Sequence, residues 1–385
     1  MIKKLLIILV VLSVSCEKKP LTPQEMILGN WSIVNKSTKP WERKIKGFNF
    51  LKDGECDYKP GYWDWHKYEN ERITAIKNDK KRDLDNIVMY YLGTKTRYNI
   101  SKDIFKIYDL SEKKWDAYKI KKITKDTLVL SKDTIVTTFT KKHYEVEKSE
   151  NFDAVILSSS PCYGSCISND ILIYKSVNVV YKGNFHVVKE GWHTAKISPF
   201  EFNIIMKRFK EADYMKLKND YSTMTTDSQS ISVSFVKNGK IVKTIDDYAD
   251  SAPNEFIWAY IPLVELGQKL NLKSKKIETT LDNDFFFAYL ITNDKKKALD
   301  LSTSEMFYLV NLLMDETNIE IKFNEQYTLS YNNDFIKEIK TNGRYYKLYF
   351  RDGKTQVKDI GFNFITESNL KNKFEIIKKI NEQNN

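Results

Sequence analysis

The sequence predicts a multi-domain chain in which an all-β barrel is followed by two α+β modules. Three observations carry this. Across residues 27–147, apolar and polar residues alternate with period two in about eight short stretches separated by turn residues. Across 152–272 such stretches are joined by two segments of helical spacing. Across 277–385 the order strand, helix, strand, hairpin, helix recurs.

The chain opens with Lys3 and Lys4, an apolar run over 5–12, and Ser13-Val14-Ser15-Cys16. A helix needs about 20 apolar residues to cross a bilayer. The run is shorter, so 1–15 reads as a signal peptide. Its end resembles a lipobox, the signal at which bacterial lipoproteins are lipidated on cysteine, with Leu12 one place further from Cys16 than usual. The resemblance implies an acyl chain on Cys16 that holds the protein to a membrane without any spanning segment. Residues 16–26, polar with Pro20 and Pro23, form a tether. The expected place is the cell envelope, on the outer membrane, facing the periplasm or the cell surface.

With 42% hydrophobic and 13% aromatic residues, the chain can fill two or three cores. Its net charge is +11, and loss of Lys3 and Lys4 with the signal leaves +9. Only 7 of the 62 basic residues are arginine, the side chain whose fork suits phosphates and base edges. The lysines are interleaved with acids, so the surface reads as solvated, with no nucleic-acid partner.

Once Cys16 is taken by lipid, Cys56, Cys162 and Cys166 remain. In an oxidising compartment the close pair bridges and Cys56 is odd. Flanked by Glu55 and Asp57, Cys56 reads as a packed, inert thiol.

In the first domain, 27–147, strands are expected at 31–34, 47–51, 87–92, 96–100, 104–108, 115–120, 127–130 and 135–139. Turns are expected at Asp53-Gly54, Pro60-Gly61 and Lys132-Asp133, and no helix is expected. The opening Gly29-Asn30-Trp31 and the closing stretches 123–130 and 138–142 resemble the small lipocalin-like domains common in Bacteroidota lipoproteins. That resemblance puts Trp31 at the barrel floor. A small apolar or aromatic ligand would be lined by Trp31, Tyr62, Trp63 and Trp65, with Tyr58 and Tyr68 beside them. The competing reading of the same aromatics is a core or hairpin ladder. His66 has no partner at metal spacing.

In the second module, 154–158, 171–174 and 177–181 read as strands. Ser198, Pro199 and Glu201 form a capping box ahead of Phe202, Ile205, Met206 and Phe209 at helical spacing. Asn238-Gly239 turns the hairpin 231–236 and 241–245. A helix after Pro253 buries Phe256, Ile257, Tyr260, Ile261 and Val264 and contains Pro262. Cys162-Tyr163-Gly164-Ser165-Cys166, Tyr181-Lys182-Gly183, Gly191-Trp192-His193, Tyr221 and Thr226-Asp227 together resemble a family catalogued as the domain of unknown function DUF6438, over roughly 152–272. Ile167-Ser168-Asn169 departs from that family's pattern. The resemblance implies no activity.

A Cys162–Cys166 bridge would close a loop so short that it contributes about 2 kcal/mol. Two alternatives stay open: a thiol exchange centre, and a metal site of Cys162, Cys166, His186 and His193. There is no hydrolase motif and no phosphate loop. No catalytic residue and no cofactor is assigned.

In the third module, strands are expected at 285–291, 327–331 and 345–350, a helix opening at 301–305 and running to about 314, a turn at Asn342-Gly343, and a helix over 367–380. Glu201 and Glu305 lie 104 residues apart, Tyr221 and Tyr327 lie 106, and Asn238 and Asn342 lie 104. The third module is therefore expected to be a degenerate repeat of the second, without its cysteines. The expected function is a noncatalytic module of the cell envelope binding a small apolar ligand or an envelope protein. The alternative is a thiol/disulfide or metal-dependent enzyme centred on Cys162 and Cys166.

Overall fold

The computed structural model describes residues 21–34, 46–78, 87–277, 281, 288–330 and 334–377. The expected signal peptide and Cys16 lie outside them. No helix among the described residues is long and apolar enough to cross a membrane.

The first domain is a closed eight-stranded barrel. Its strands are β1 (Gly29–Ile33), β2 (Gly47–Phe50), β3 (Glu55–Trp63), β4 (Tyr91–Ser101), β5 (Ile104–Asp109), β6 (Lys114–Ile123), β7 (Thr127–Lys132) and β8 (Ile135–Lys142). β1 pairs antiparallel with both β2 and β8, which closes the ring. The inward positions carry Trp31, Phe48, Phe50, Phe105, Leu128, Leu130 and Phe139. Their rings touch: Phe50 lies 4.9 Å from Tyr98 and 5.5 Å from Phe105, and Phe48 lies 5.2 Å from Tyr58. The barrel is filled by its own side chains. Trp31 is 1% exposed in this core, and its indole N–H donates to the Ile27 carbonyl at 2.5 Å.

Three expectations for this domain are corrected. Pro60-Gly61 does not turn the chain. Both residues lie inside β3, where the register with β4 jumps between Asp57↔Lys95 and Tyr62↔Gly93. Pro60 has no N–H to give the ladder, and a bulge is the place a strand tolerates that. Gly61 takes φ +87° there, with the Tyr91 ring against the space a Cβ would fill. Secondly, the stretches 87–92 and 96–100 are not two strands: 87–90 is irregular and β4 is one long strand. Thirdly, the domain is not all-β, because helix α2 (Trp65–Lys77) follows β3; the short α1 (Pro23–Met26) precedes β1. The Asp64 carboxylate caps α2 by accepting from Lys67 N–H at 2.9 Å, and Arg72 pairs with Glu69 at 3.0 Å. Ala75 is its one buried residue among those described, so α2 has no apolar stripe for a periodicity argument to find.

The second module is an eight-stranded sheet of β9 (Ala154–Ser159), β10 (Ser168–Tyr174), β11 (Asn178–Phe185), β12 (Gly191–Lys196), β13 (Asp220–Tyr221), β14 (Ser230–Lys237), β15 (Lys240–Tyr248) and β16 (Lys273–Ser274). Its order is β13-β15-β14-β9-β10-β11-β12-β16, antiparallel except for β13 beside β15. Helices α3 (Pro199–Glu211) and α4 (Asn254–Val264) cover one face. The expected capping box opens α3: Glu201 N–H donates to Ser198 Oγ at 3.1 Å and Ser198 N–H to Glu201 Oε2 at 2.7 Å. Asn238 and Gly239 both take positive φ, 53° and 76°, as a type I′ turn demands.

The third module is a seven-stranded sheet in the order β22-β21-β20-β19-β17-β18-β23. These strands are β17 (Ala288–Thr292), β18 (Lys297–Leu301), β19 (Tyr327–Ser330), β20 (Ile336–Thr341), β21 (Tyr345–Phe350), β22 (Thr355–Asp359) and β23 (Glu375–Ile376). Helix α5 (Thr303–Asp315) lies between this sheet and the uncovered face of the central one, in a single core that holds Ile156, Leu172 and Trp192 with Leu290, Leu299 and Leu348. At its start Ser304 Oγ lies 2.7 Å from Ser232 Oγ and 2.8 Å from Ser234 Oγ, and Ser302 donates to Asp246 at 2.6 Å.

The helix expected over 367–380 is replaced by the four-residue α6 (Phe364–Glu367), a 3-10 turn at Lys371–Lys373 and β23, which pairs with Lys297 and Ala298. Asn369 at φ +58° ends the helical path. Residues 378–385 lie outside the described part. The spacing between second and third modules matches at the two capping boxes. It does not extend to the wiring: Tyr221 sits on the parallel edge strand β13, whereas Tyr327 sits on β19, antiparallel between β17 and β20.

A seam of buried charge joins the barrel to α3 and α4. Lys59 Nζ meets Glu211 at 3.0 Å, and Arg208 meets Asp57 at 3.1 Å while donating to the Trp258 carbonyl at 3.0 Å. Burial raises the Asp57 pKa, but Arg208 and then Lys59 outweigh it and hold the carboxyl below its usual value. Trp63 donates its indole N–H to Glu265 at 2.9 Å, and Gln268 donates to the other Glu265 oxygen at 2.7 Å. Burial pushes Glu265 up to about 7, against the opposing pull of Trp63 and Lys269.

Two outcomes follow. Trp31→Ala should lower unfolding free energy by about 3–5 kcal/mol in urea titrations monitored by barrel aromatics, the range for deleting a buried aromatic. Because the folded pKa of Glu265 is raised, its contribution is full below the usual carboxyl pKa of 4.5 and fades as pH rises to about 7. Glu265→Gln should therefore flatten the fall in melting temperature across that window relative to the parent, and an unchanged slope would show that Glu265 does not set it.

Candidate functional site

The central sheet ends in a stapled loop. β9 runs out at Ser159, Pro161 cannot continue a ladder, and the chain turns through 162–166 before β10 begins at Ser168. Cys162 and Cys166 are bridged with Cα atoms 5.6 Å apart, within the range an unstrained bridge requires. Both cysteines are half-buried, whereas Tyr163 between them is 91% exposed.

Hydrogen bonds close the neck of this loop below the bridge. Gln229 Nε2 donates to the Ser160 carbonyl at 2.9 Å and to the Ile167 carbonyl at 2.6 Å, so one amide spans both sides of the neck. Ser168 Oγ donates to the Ser159 carbonyl at 2.9 Å, and Asn169 Nδ2 ties the start of β10 to the Val264 carbonyl at 2.7 Å. The tip is held separately. Tyr163 N–H donates to the Asp227 carbonyl at 3.1 Å, Gly164 N–H donates to Cys162 Sγ at 3.2 Å, and Ser165 Oγ lies 2.9 Å from the Tyr68 hydroxyl on α2. Met224, on the neighbouring loop before β14, is fully exposed.

The other residues singled out from sequence stand behind this loop. Tyr181, Lys182, Trp192 and His193 are all buried on adjacent strands, with Tyr181 paired to His193 and Lys182 to Trp192. Gly183 is needed because a Cβ there would collide with the Lys189 carbonyl. His193 Nδ1 lies 3.0 Å from the Gly191 carbonyl. The sulfurs are bonded to each other rather than free to join His186 and His193, and among the described residues no group of three or more His, Cys, Asp or Glu side chains is placed to hold a metal ion.

The four proposed cavity residues are scattered. Trp31 and Tyr62 are buried, Trp63 is in the seam on Glu265, and Trp65 is 56% exposed on α2. A hollow of about 590 Å³ beside α2 is bordered by His66, Lys67, Asn70 and Glu71, and by none of those four. Cys56 is buried, and burial with the adjacent Asp57 pushes its thiol well above the ordinary value, which keeps it protonated. Sequence reasoning missed Gln229, a lone amide with no spacing signal, and set Tyr68 beside a ligand cavity, whereas its hydroxyl lies against Ser165 of the loop.

Replacing Cys162 and Cys166 together by Ser should lower stability by about 2 kcal/mol, the loop-entropy share of so short a ring, and leave the far-ultraviolet spectrum unchanged. A loss of sheet signal would mean that the bridge, not Gln229, holds the neck.

No curated protein and no solved structure matches this chain. Residues 153–267, which carry the stapled loop and the strands behind it, match the family described as a domain of unknown function, DUF6438, so it is the central module that is similar to that family.

Proposed function

We propose that the protein is a noncatalytic interaction module of the cell envelope, lipid-anchored through Cys16, whose contact surface is the stapled loop at the end of the central sheet. The observation that carries this is Tyr163, 91% exposed on a tip fixed by a disulfide and by hydrogen bonds on both sides. A large aromatic on a backbone already fixed has only its two side-chain torsions to lose when a partner covers it, which suits an interface anchor. The filled barrel interior favours a protein partner over a small apolar ligand. In this reading the barrel is a spacer between the lipid and the loop, the envelope is reached through the signal at 1–15, the outer membrane is the anchoring surface, and 277–385 is a repeat-derived brace.

A photo-crosslinking residue placed at 163 should give discrete adducts in intact cells, and the same residue at the exposed Lys125 should not. Equal adducts, or none at 163, would remove the loop as the contact surface. Acyl mass on Cys16 in the membrane-extracted protein tests the anchor independently.

A further inference from the structure

The two sulfurs of the bridge are not equivalent. Cys162 Sγ accepts the Gly164 N–H at 3.2 Å, whereas no hydrogen bond to Cys166 Sγ is found among the described residues. A donor aimed at sulfur favours the thiolate over the thiol, and in disulfide exchange the sulfur better able to carry charge is the one that leaves. Neither cysteine is fully buried, and Gly164 between them carries no side chain. The neck has ties that do not pass through the bridge, from Gln229 to both of its sides and from Ser168 to the Ser159 carbonyl.

We propose that the Cys162–Cys166 bridge is a thiol-exchange site of fixed polarity, in which an incoming thiolate bonds to Cys166 Sγ and Cys162 departs as the thiolate. The incoming sulfur forms one S–S bond as the Cys162–Cys166 bond breaks, and the bonding pair goes to Cys162 Sγ beneath the Gly164 N–H. With a dithiol donor, its second thiolate attacks the mixed disulfide. Cys166 is then released as a thiolate, both protein sulfurs are reduced, and the donor is oxidised to its own disulfide. This goes beyond the interaction reading and does not rest on it: exchange needs the sulfurs, whereas the interface needs Tyr163.

The probe is glutathione. The folded full chain is treated with millimolar glutathione, quenched in acid, alkylated and mapped by peptide mass. The expected result is a glutathione adduct on Cys166 with Cys162 alkylated, in excess over the reverse by about threefold or more, the effect of one pKa unit in the leaving thiol. Gly164→Ala keeps the N–H, and its Cβ would sit 3.8 Å from Cys162 Sγ, an ordinary contact, so the ratio should persist. Gly164→Pro deletes the donor, and the ratio should fall towards one. A ratio near one in the parent chain, adducts mainly on Cys162, a bridge that resists glutathione in the folded protein, or a ratio unchanged in folded Gly164→Pro would each overturn the assignment.

Discussion

A strand buried on both faces must be covered twice, and β9 is such a strand: all six of its residues, Ala154 to Ser159, are out of water. Its alternate side chains point into different cores, Val155 and Leu157 towards α3 and α4, Ala154 and Ile156 towards α5. Apolar area on each face is worth about 25 cal/mol per Å² only when something lies on it. The module's own helices cover one side. The third module supplies the other cover, which explains why α5 sits between two sheets with Ser304, Glu305 and the run Met306 to Val310 all buried.

The polar contacts choose the pose. Lys59, Glu211, Arg208 and Asp57 lie in the seam between barrel and α3, where a charge without its partner would cost several kcal/mol. At α5 hydroxyls do the same: Ser304 meets Ser232 and Ser234, and Ser302 donates to Asp246. Apolar surfaces can slide over one another; these pairs allow one register. The barrel is thereby fixed to the helices on one face of the central sheet and the third module to the other face, while α2 of the barrel domain reaches the stapled loop through Tyr68.

What could be read in advance was whatever the chain encodes over a few residues. The Ser198 capping box, the helix start at 301–305, the Asn238-Gly239 turn and the Cys162–Cys166 spacing are local devices, and each appears where its residues stand. What could not be read depends on distant partners. Pro60-Gly61 has the chemistry of a turn, yet β4, paired with β3 before it at Asp57 and after it at Tyr62, holds it within a strand. Residues 65–77 lack a stripe because α2 buries almost nothing of itself. The end of the chain has helical composition, but β18 offers an edge, and Glu375 and Ile376 take it. At the site, the cysteines were legible and their supports were not. Gln229 closes the neck from 62 residues away and Tyr68 holds the tip from 97.

The division between neck and tip separates what the loop holds from what it shows. Because Gln229, Ser168 and Asn169 secure the strands below the bridge, residues 163 to 165 bear almost none of the module's folding burden. They form a cassette. A short peptide grafted between the two cysteines would be presented in a constrained conformation on a sheet whose ties lie below the bridge.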